Sequence, residues 1–130
     1  MGFNKSDSFD LVTCIEVLEH IPDFKNALYE LKRISKNWII ITVPYEQNLK
    51  TKLCPHCLKT FYVDGHIHSF SSQKLKDICE VNGFSVVKIE RYTNNPFRSK
   101  TLNIFYLVLT TIGILKKRKP KYIGLLCYKK

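Results

Sequence analysis

The chain has 130 residues, enough for one domain whose core removes roughly two thirds of the unfolded surface from water. Hydrophobic residues make up 45% and charged residues 25%, the proportions of an ordinary globular protein, with no internal repeat or low-complexity tract. The formal net charge of +10 favours anionic partners such as nucleic acid, acidic lipid or phosphorylated small molecules.

Met1–Lys5 has no apolar core behind a basic start, so no signal peptide is read there. The five cysteines, Cys14, Cys54, Cys57, Cys79 and Cys127, are odd in number and carry no secretory signal. That argues for a reducing, cytoplasmic setting and against a disulfide framework.

Phe9–Ile15 reads as a strand, β-branched and apolar on both faces except for Asp10 and Thr13, as in a buried strand of a parallel sheet. A strand of that composition normally has a neighbour on each side. Placed nine residues into the chain, it predicts a bare apolar edge and a missing upstream partner.

Asp23 is set to cap a helix, followed by a stripe of Phe24, Ala27, Leu28, Leu31 and Ile34. Lys32, Arg33 and Lys36 suit the negative end of that helix. Trp38–Val43 is a second buried strand, stopped by Pro44. Residues 45–69 show little periodicity and read as a long, functional loop.

Ser71 caps another helix, with Phe70 and Leu75 placed as a hydrophobic staple and Gly83 as its left-handed stop. Phe84–Glu90 is a third strand and Tyr122–Tyr128 a last one. Between them Thr101–Leu115 runs fifteen residues without a charge. As a helix it reaches only about 22 Å, short of a membrane span. It is either a buried helix or an interfacial segment whose basic neighbours Lys116–Lys119 make weak contact with an anionic membrane. Seven positive charges in the last fifteen residues read first as a solvated basic tail. Alternation of strands and helices implies an α/β layered fold.

The segment Phe9-Asp10-Leu11-Val12-Thr13-Cys14-Ile15-Glu16-Val17-Leu18-Glu19-His20-Ile21-Pro22-Asp23 resembles the fourth-strand region of class I S-adenosylmethionine-dependent methyltransferases. Its Glu-Val-Leu-Glu-His-Ile core is the specific part. The Ala27–Arg33 helix, Ile39–Pro44, Gly65-His66, Ser69-Phe70-Ser71 and Asn82-Gly83-Phe84 follow in the family's order. The resemblance covers most of residues 9–92. It implies a partial Rossmann-like methyltransferase sheet, strands four to seven, with flanking helices, in a single partial domain over 1–130. Residues 93–130 then hold a variable helix and the last strand.

Members of that family begin with a strand and a Gly-rich loop where the backbone approaches the cofactor. The glycines here are Gly2, Gly65, Gly83, Gly113 and Gly124, and no two lie close together. The resemblance therefore implies a C-terminal half, with S-adenosyl-L-methionine as cofactor but without its main grip, and inactive alone. Cys14, Ile15 and Glu16 would line the cofactor pocket. The missing N-terminal half would be a partner, and the acceptor would be a small-molecule or RNA hydroxyl.

Glu16, Glu19 and His20 are spaced i, i+3 and i+4, which on one helical turn places them on one face. Two carboxylates and an imidazole can bind a divalent cation or act as acid and base. The set resembles the metal-binding residues of small-RNA 2′-O-methyltransferases and of ubiquinone-pathway O-methyltransferases. Carried over, the ligands of Mg or Mn would be Glu16, Glu19, His20 and His66. Without metal the turn lines a pocket, with Glu16 and His20 as catalytic residues and His20 as general base.

Cys54-Pro55-His56-Cys57 is half of a zinc pattern. His66 and His68 are the available second half, at an unusual spacing. A second class of function follows from this pair: a small metal-stabilised binding module for an anionic partner. A third is a membrane-associated inactive remnant.

Overall fold

The computed structural model describes residues 5–93 and 119–129. The uncharged run Thr101–Leu115 and the basic residues that follow it up to Arg118 lie outside these residues.

Chain order is β1 (Phe9–Ile15), a short 3-10 turn (Leu18–His20), α1 (Phe24–Ile34), β2 (Ser35–Pro44), β3 (Thr51–Leu53) and β4 (Thr60–Tyr62). Then come α2 (Ser72–Val81), β5 (Phe84–Tyr92) and β6 (Tyr122–Lys129). The main sheet runs β1-β2-β6-β5. β1 and β2 are parallel, and β6 is antiparallel to both of its neighbours. The fold is therefore α/β, with one antiparallel strand inserted into the sheet.

Local chemistry fixes the helix ends as expected. The Asp23 carboxylate accepts the Asn26 amide at 3.1 Å, and the Ser71 hydroxyl accepts the Lys74 amide at 3.1 Å. Phe70 and Leu75 are both fully buried, as a staple requires. Gly83 stops α2 at φ +78°, a conformation that favours glycine. Lys36 is not part of the α1 terminus: α1 ends at Ile34, and Lys36 sits on β2 in an ion pair with Asp10 at 3.4 Å.

One sheet face carries the core. Val12 and Cys14 of β1, Ile39 and Ile41 of β2, and Leu125 and Cys127 of β6 meet Leu28 of α1 and Leu75 and Cys79 of α2. The expectation that β1 is buried on both faces is corrected here. Leu11 is 50% and Ile15 54% exposed, because both described helices pack on the Val12 face. Trp38 and Tyr128 stand on the same uncovered face in an edge-to-face pair, ring centroids 5.1 Å apart. Among the described residues β1 pairs with β2 alone, so its other edge is open.

Two further expectations change. Residues 45–69 are not a featureless loop, since β3 and β4 form an antiparallel hairpin within them. The basic tail is not wholly solvated either: Lys129 Nζ donates to Asp7 Oδ1 at 2.5 Å and to the Ser35 carbonyl at 2.9 Å.

Candidate functional site

The site forms where β1 ends. Glu16 follows the strand at φ +52°, a left-handed conformation uncommon for a side chain of this kind. It is held there twice by Thr42 of β2. The Glu16 amide donates to the Thr42 carbonyl at 3.0 Å, and the Thr42 hydroxyl donates to Glu16 Oε1 at 2.9 Å. Burial raises the Glu16 carboxyl pKa above the ordinary value; the Thr42 hydroxyl opposes this and the Glu19 charge adds to it.

The backbone twist at Glu16 takes it out of the helical turn. Only Leu18–His20 are helical, in a single 3-10 turn. Glu16, Glu19 and His20 therefore do not share one helix face. Glu19 is buried, 1% exposed, while His20 is exposed.

Glu19 and His20 are joined instead by a residue far along the chain. The Glu19 carbonyl accepts the amides of Ile67 at 2.8 Å and His68 at 3.2 Å, which straps residues 65–68 onto the turn. Gly65 makes the bend at φ +69° and offers its carbonyl to His20 Nδ1 at 3.1 Å. His66 is thereby set edge-on to His20, ring centroids 4.4 Å apart. Glu19, His20 and His66 each offer a ligand atom within 4.8 Å of the others. Glu16 is not in that group.

Both imidazoles are oriented by acceptors. His20 Nδ1 faces the Gly65 carbonyl, and His66 Nδ1 faces Gln47 Oε1. A carbonyl oxygen only accepts, so Nδ1 is the donor in each of these two bonds. His20 Nε2 lies 3.9 Å from Glu19 Oε1. Among the described residues neither carboxylate oxygen of Glu19 has a hydrogen-bond partner, although both are buried. A buried carboxylate left without a partner is costly, and a cation is the usual remedy.

Beside this group lies a cavity of about 320 Å³ lined by Glu16, Tyr45, Gln47, His66, Lys121 and Tyr122 among others. Its size is at the lower end for small-molecule sites. Thr42 and Gln47 were not identified as site residues from sequence. Thr42 carries a signal, being a hydroxyl in an otherwise apolar strand; Gln47 carries none.

Of the three residues expected to line a cofactor, Ile15 and Glu16 reach the strand end. The Cys14 side chain packs into the core instead, and burial pushes its thiol pKa up to about 11. Cys54 and Cys57 lie in the turn of the β3–β4 hairpin. His66 and His68 do not join them: His66 belongs with Glu19, and His68 Nε2 bonds the Ile21 carbonyl at 3.0 Å. Among the described residues no helix is long and apolar enough to cross a membrane.

A family model described as a methyltransferase domain matches residues 2–89. An uncharacterized protein of Methanocaldococcus jannaschii is 36% identical over 72 residues, covering 47% of this chain and 32% of that protein. An S-adenosylmethionine-dependent methyltransferase from Methanosarcina mazei has a similar fold, with TM-score 0.62 at 13% identity, covering 99% of this chain and 63% of that one. One from Mesorhizobium loti gives 0.61 at 10% identity, covering 95% and 64%. The Burkholderia thailandensis 1,6-didemethyltoxoflavin-N1-methyltransferase, solved with bound 1,6-didemethyltoxoflavin and S-adenosylhomocysteine, gives 0.61 at 15% identity, covering 98% and 47%. The chain thus spans less than two thirds of each of these proteins.

Proposed function

The chain belongs to the class I S-adenosylmethionine-dependent methyltransferase family, and from that premise we propose that it forms the acceptor side of an O-methyltransferase. The observation that carries this reading is Glu19. Its two buried carboxylate oxygens, without a hydrogen-bond partner among the described residues, lie close to two oriented imidazoles at the end of a family-typical strand.

A divalent cation of the Mg or Mn class would complete that donor set, the two imidazoles suiting Mn better than Mg. Glu19, His20 and His66 would hold it, and Glu16 would face the acceptor from the cavity side. Bound there, the ion supplies Lewis acidity that lowers the pKa of an acceptor hydroxyl. The protein's own part is orientation. The Gly65 carbonyl and the Gln47 amide oxygen fix the two rings, as the outer partners of metal-bound histidines do. Before any ion binds, His20 would serve as general base for a hydroxyl proton.

The fit for S-adenosylmethionine is incomplete in these 130 residues. Ile15 and Glu16 would border it, Cys14 contributes no exposed side chain, and no Gly-rich loop is present. We therefore assign the cofactor grip to another segment, whose strand would pair along the open edge of β1. Methyl transfer is a displacement at carbon, so the task of this side is to align the acceptor and exclude water. The net charge of +10 favours an anionic acceptor, either a small molecule or an RNA hydroxyl. Five free cysteines fit a cytoplasmic protein.

Two measurements test the reading. Manganese titration of the full chain should show binding that Glu19→Ala removes; unchanged affinity would overturn the metal assignment. Equilibrium dialysis against labelled S-adenosylmethionine should show no retention by this chain alone. Retention would overturn the assignment of the cofactor grip to another segment.

A further inference from the structure

A second cavity, of about 490 Å³, adjoins the one described above at Tyr45, which lines both. Its volume is within the range of small-molecule sites. The chain builds it by tying the end of β2 to the start of α2. Tyr45 bridges to Phe70, and the Glu46 amide donates to the Phe70 carbonyl at 2.9 Å. α2 begins at Ser72, so its first turn forms one wall. Arg91, near the end of β5, forms another.

The α2 wall carries donors without acceptors. The Ser71 hydroxyl serves the Lys74 amide, and the Ser71 carbonyl serves the Leu75 amide. The amides of Ser72 and Gln73 have no acceptor among the described residues. Free N–H groups at the start of a helix, with the dipole behind them, favour an anion. A further observation does not depend on the helix end. The Ser72 hydroxyl oxygen is buried on this wall and has no hydrogen-bond partner among the described residues. A buried hydroxyl is costly unless something polar meets it.

Arg91 supplies the charge. Its guanidinium lies over the Tyr45 ring, 5.4 Å from the centroid, and donates to the Tyr45 hydroxyl at 3.2 Å. Most of its five donors remain for a ligand. Glu46 is the one carboxylate among the residues lining this cavity, and it forms no ion pair with Arg91. Lys121, on the wall of the first cavity, is likewise without a carboxylate partner among the described residues.

We propose that this second cavity holds a phosphate group of the methyl acceptor. Arg91, the Ser72 hydroxyl and the Ser72 and Gln73 amides bind the phosphate, and the rest of the acceptor passes Tyr45 and Lys121 into the first cavity. A phosphate offers three free oxygens and up to two charges, so it uses this donor set more fully than a carboxylate does. A guanidinium beside backbone amides is also the usual company of a phosphate. As an acceptor subsite the proposal rests on the methyltransferase reading above; as a phosphate site it does not.

The test is an amide NMR titration of the full chain with inorganic phosphate, with ribose 5-phosphate and with a short single-stranded RNA carrying terminal hydroxyls. The Ser72 and Gln73 resonances should move and saturate. Arg91→Gln should weaken the affinity about tenfold, the loss expected for one charge-assisted partner, and Glu46→Gln should strengthen it. Shift mapping on the unaltered chain gives the same reading should the Arg91 variant misfold. Tighter binding of ribose 5-phosphate than of RNA identifies a small phosphorylated acceptor, and the reverse identifies the RNA backbone; either supports the proposal. Shifts confined to other basic residues, no saturation, or unchanged affinity in Arg91→Gln would overturn it. Manganese binding in parallel samples reports the Glu19 site separately. Manganese bound without phosphate overturns this proposal alone, and phosphate bound without manganese supports it while overturning the metal reading.

Discussion

The main-chain oxygen of Glu19 accepts the amide of Ile67, 48 positions further along the chain, at 2.8 Å. That bond makes the site a composite. The turn after β1 and the segment after the hairpin cannot move independently, so the side chains of Glu19 and His66 are kept in reach of each other.

Glu19 is costly to the metal-free protein. Glu19→Met keeps the side-chain length and removes the buried charge. It should stabilise the metal-free chain by about 1–3 kcal/mol, the range for relieving an unpaired buried polar group. Chemical denaturation in chelator measures this. A loss of stability would mean that the carboxylate already has a partner.

Thr42→Val should make stability more dependent on pH. Burial raises the folded pKa of Glu16, so the native state holds its proton more tightly than the unfolded chain does. That stabilisation is complete below the ordinary carboxylate pKa and is lost as pH rises through the folded value. The Thr42 hydroxyl limits the loss by bonding the ionised form at 2.9 Å. Without it the variant should lose about 1 kcal/mol more at neutral than at acid pH, allowing for solvent around this half-exposed group. Melting curves at the two pH values provide the check.

Gly83→Ala should cost about 1–2 kcal/mol, since φ of +78° is left-handed backbone that an alanine Cβ resists. Denaturant midpoints would report it. An unchanged midpoint would show that the α2 terminus relaxes freely.

Ser71→Ala should cost about 1 kcal/mol through the lost cap on the Lys74 amide. Hydrogen exchange at Lys74 should accelerate in the variant more than exchange in β2. Equal acceleration would point to global rather than local loosening.

The features legible in the sequence were those set by neighbours along the chain. Asp23, Ser71, the Phe70–Leu75 staple and Gly83 act within a turn or two, and each is found in its expected role. What failed depended on partners far away. The apolar composition of β1 suggested two buried faces, yet only the Val12 face is covered by the described helices. The spacing of Glu16, Glu19 and His20 suggested one helix face, yet Thr42, 26 residues later, holds Glu16 in a conformation that no helix contains. Gln47 and His68 could not be placed because their roles come from the strap over residues 65–68, not from any local pattern. The hairpin was missed because three-residue strands leave too short an alternation to read.

β6 lies between β2 and β5, although it follows both in the chain. During synthesis β2 and β5 leave the ribosome first and have no direct pairing with each other. The sheet stays in two parts, β1–β2 and a lone β5, until residues 122–129 have emerged. Completion of the sheet therefore waits for β6 rather than advancing strand by strand. A stalled or prematurely released product would present the apolar edges of two strands to whatever chaperone or protease meets it first.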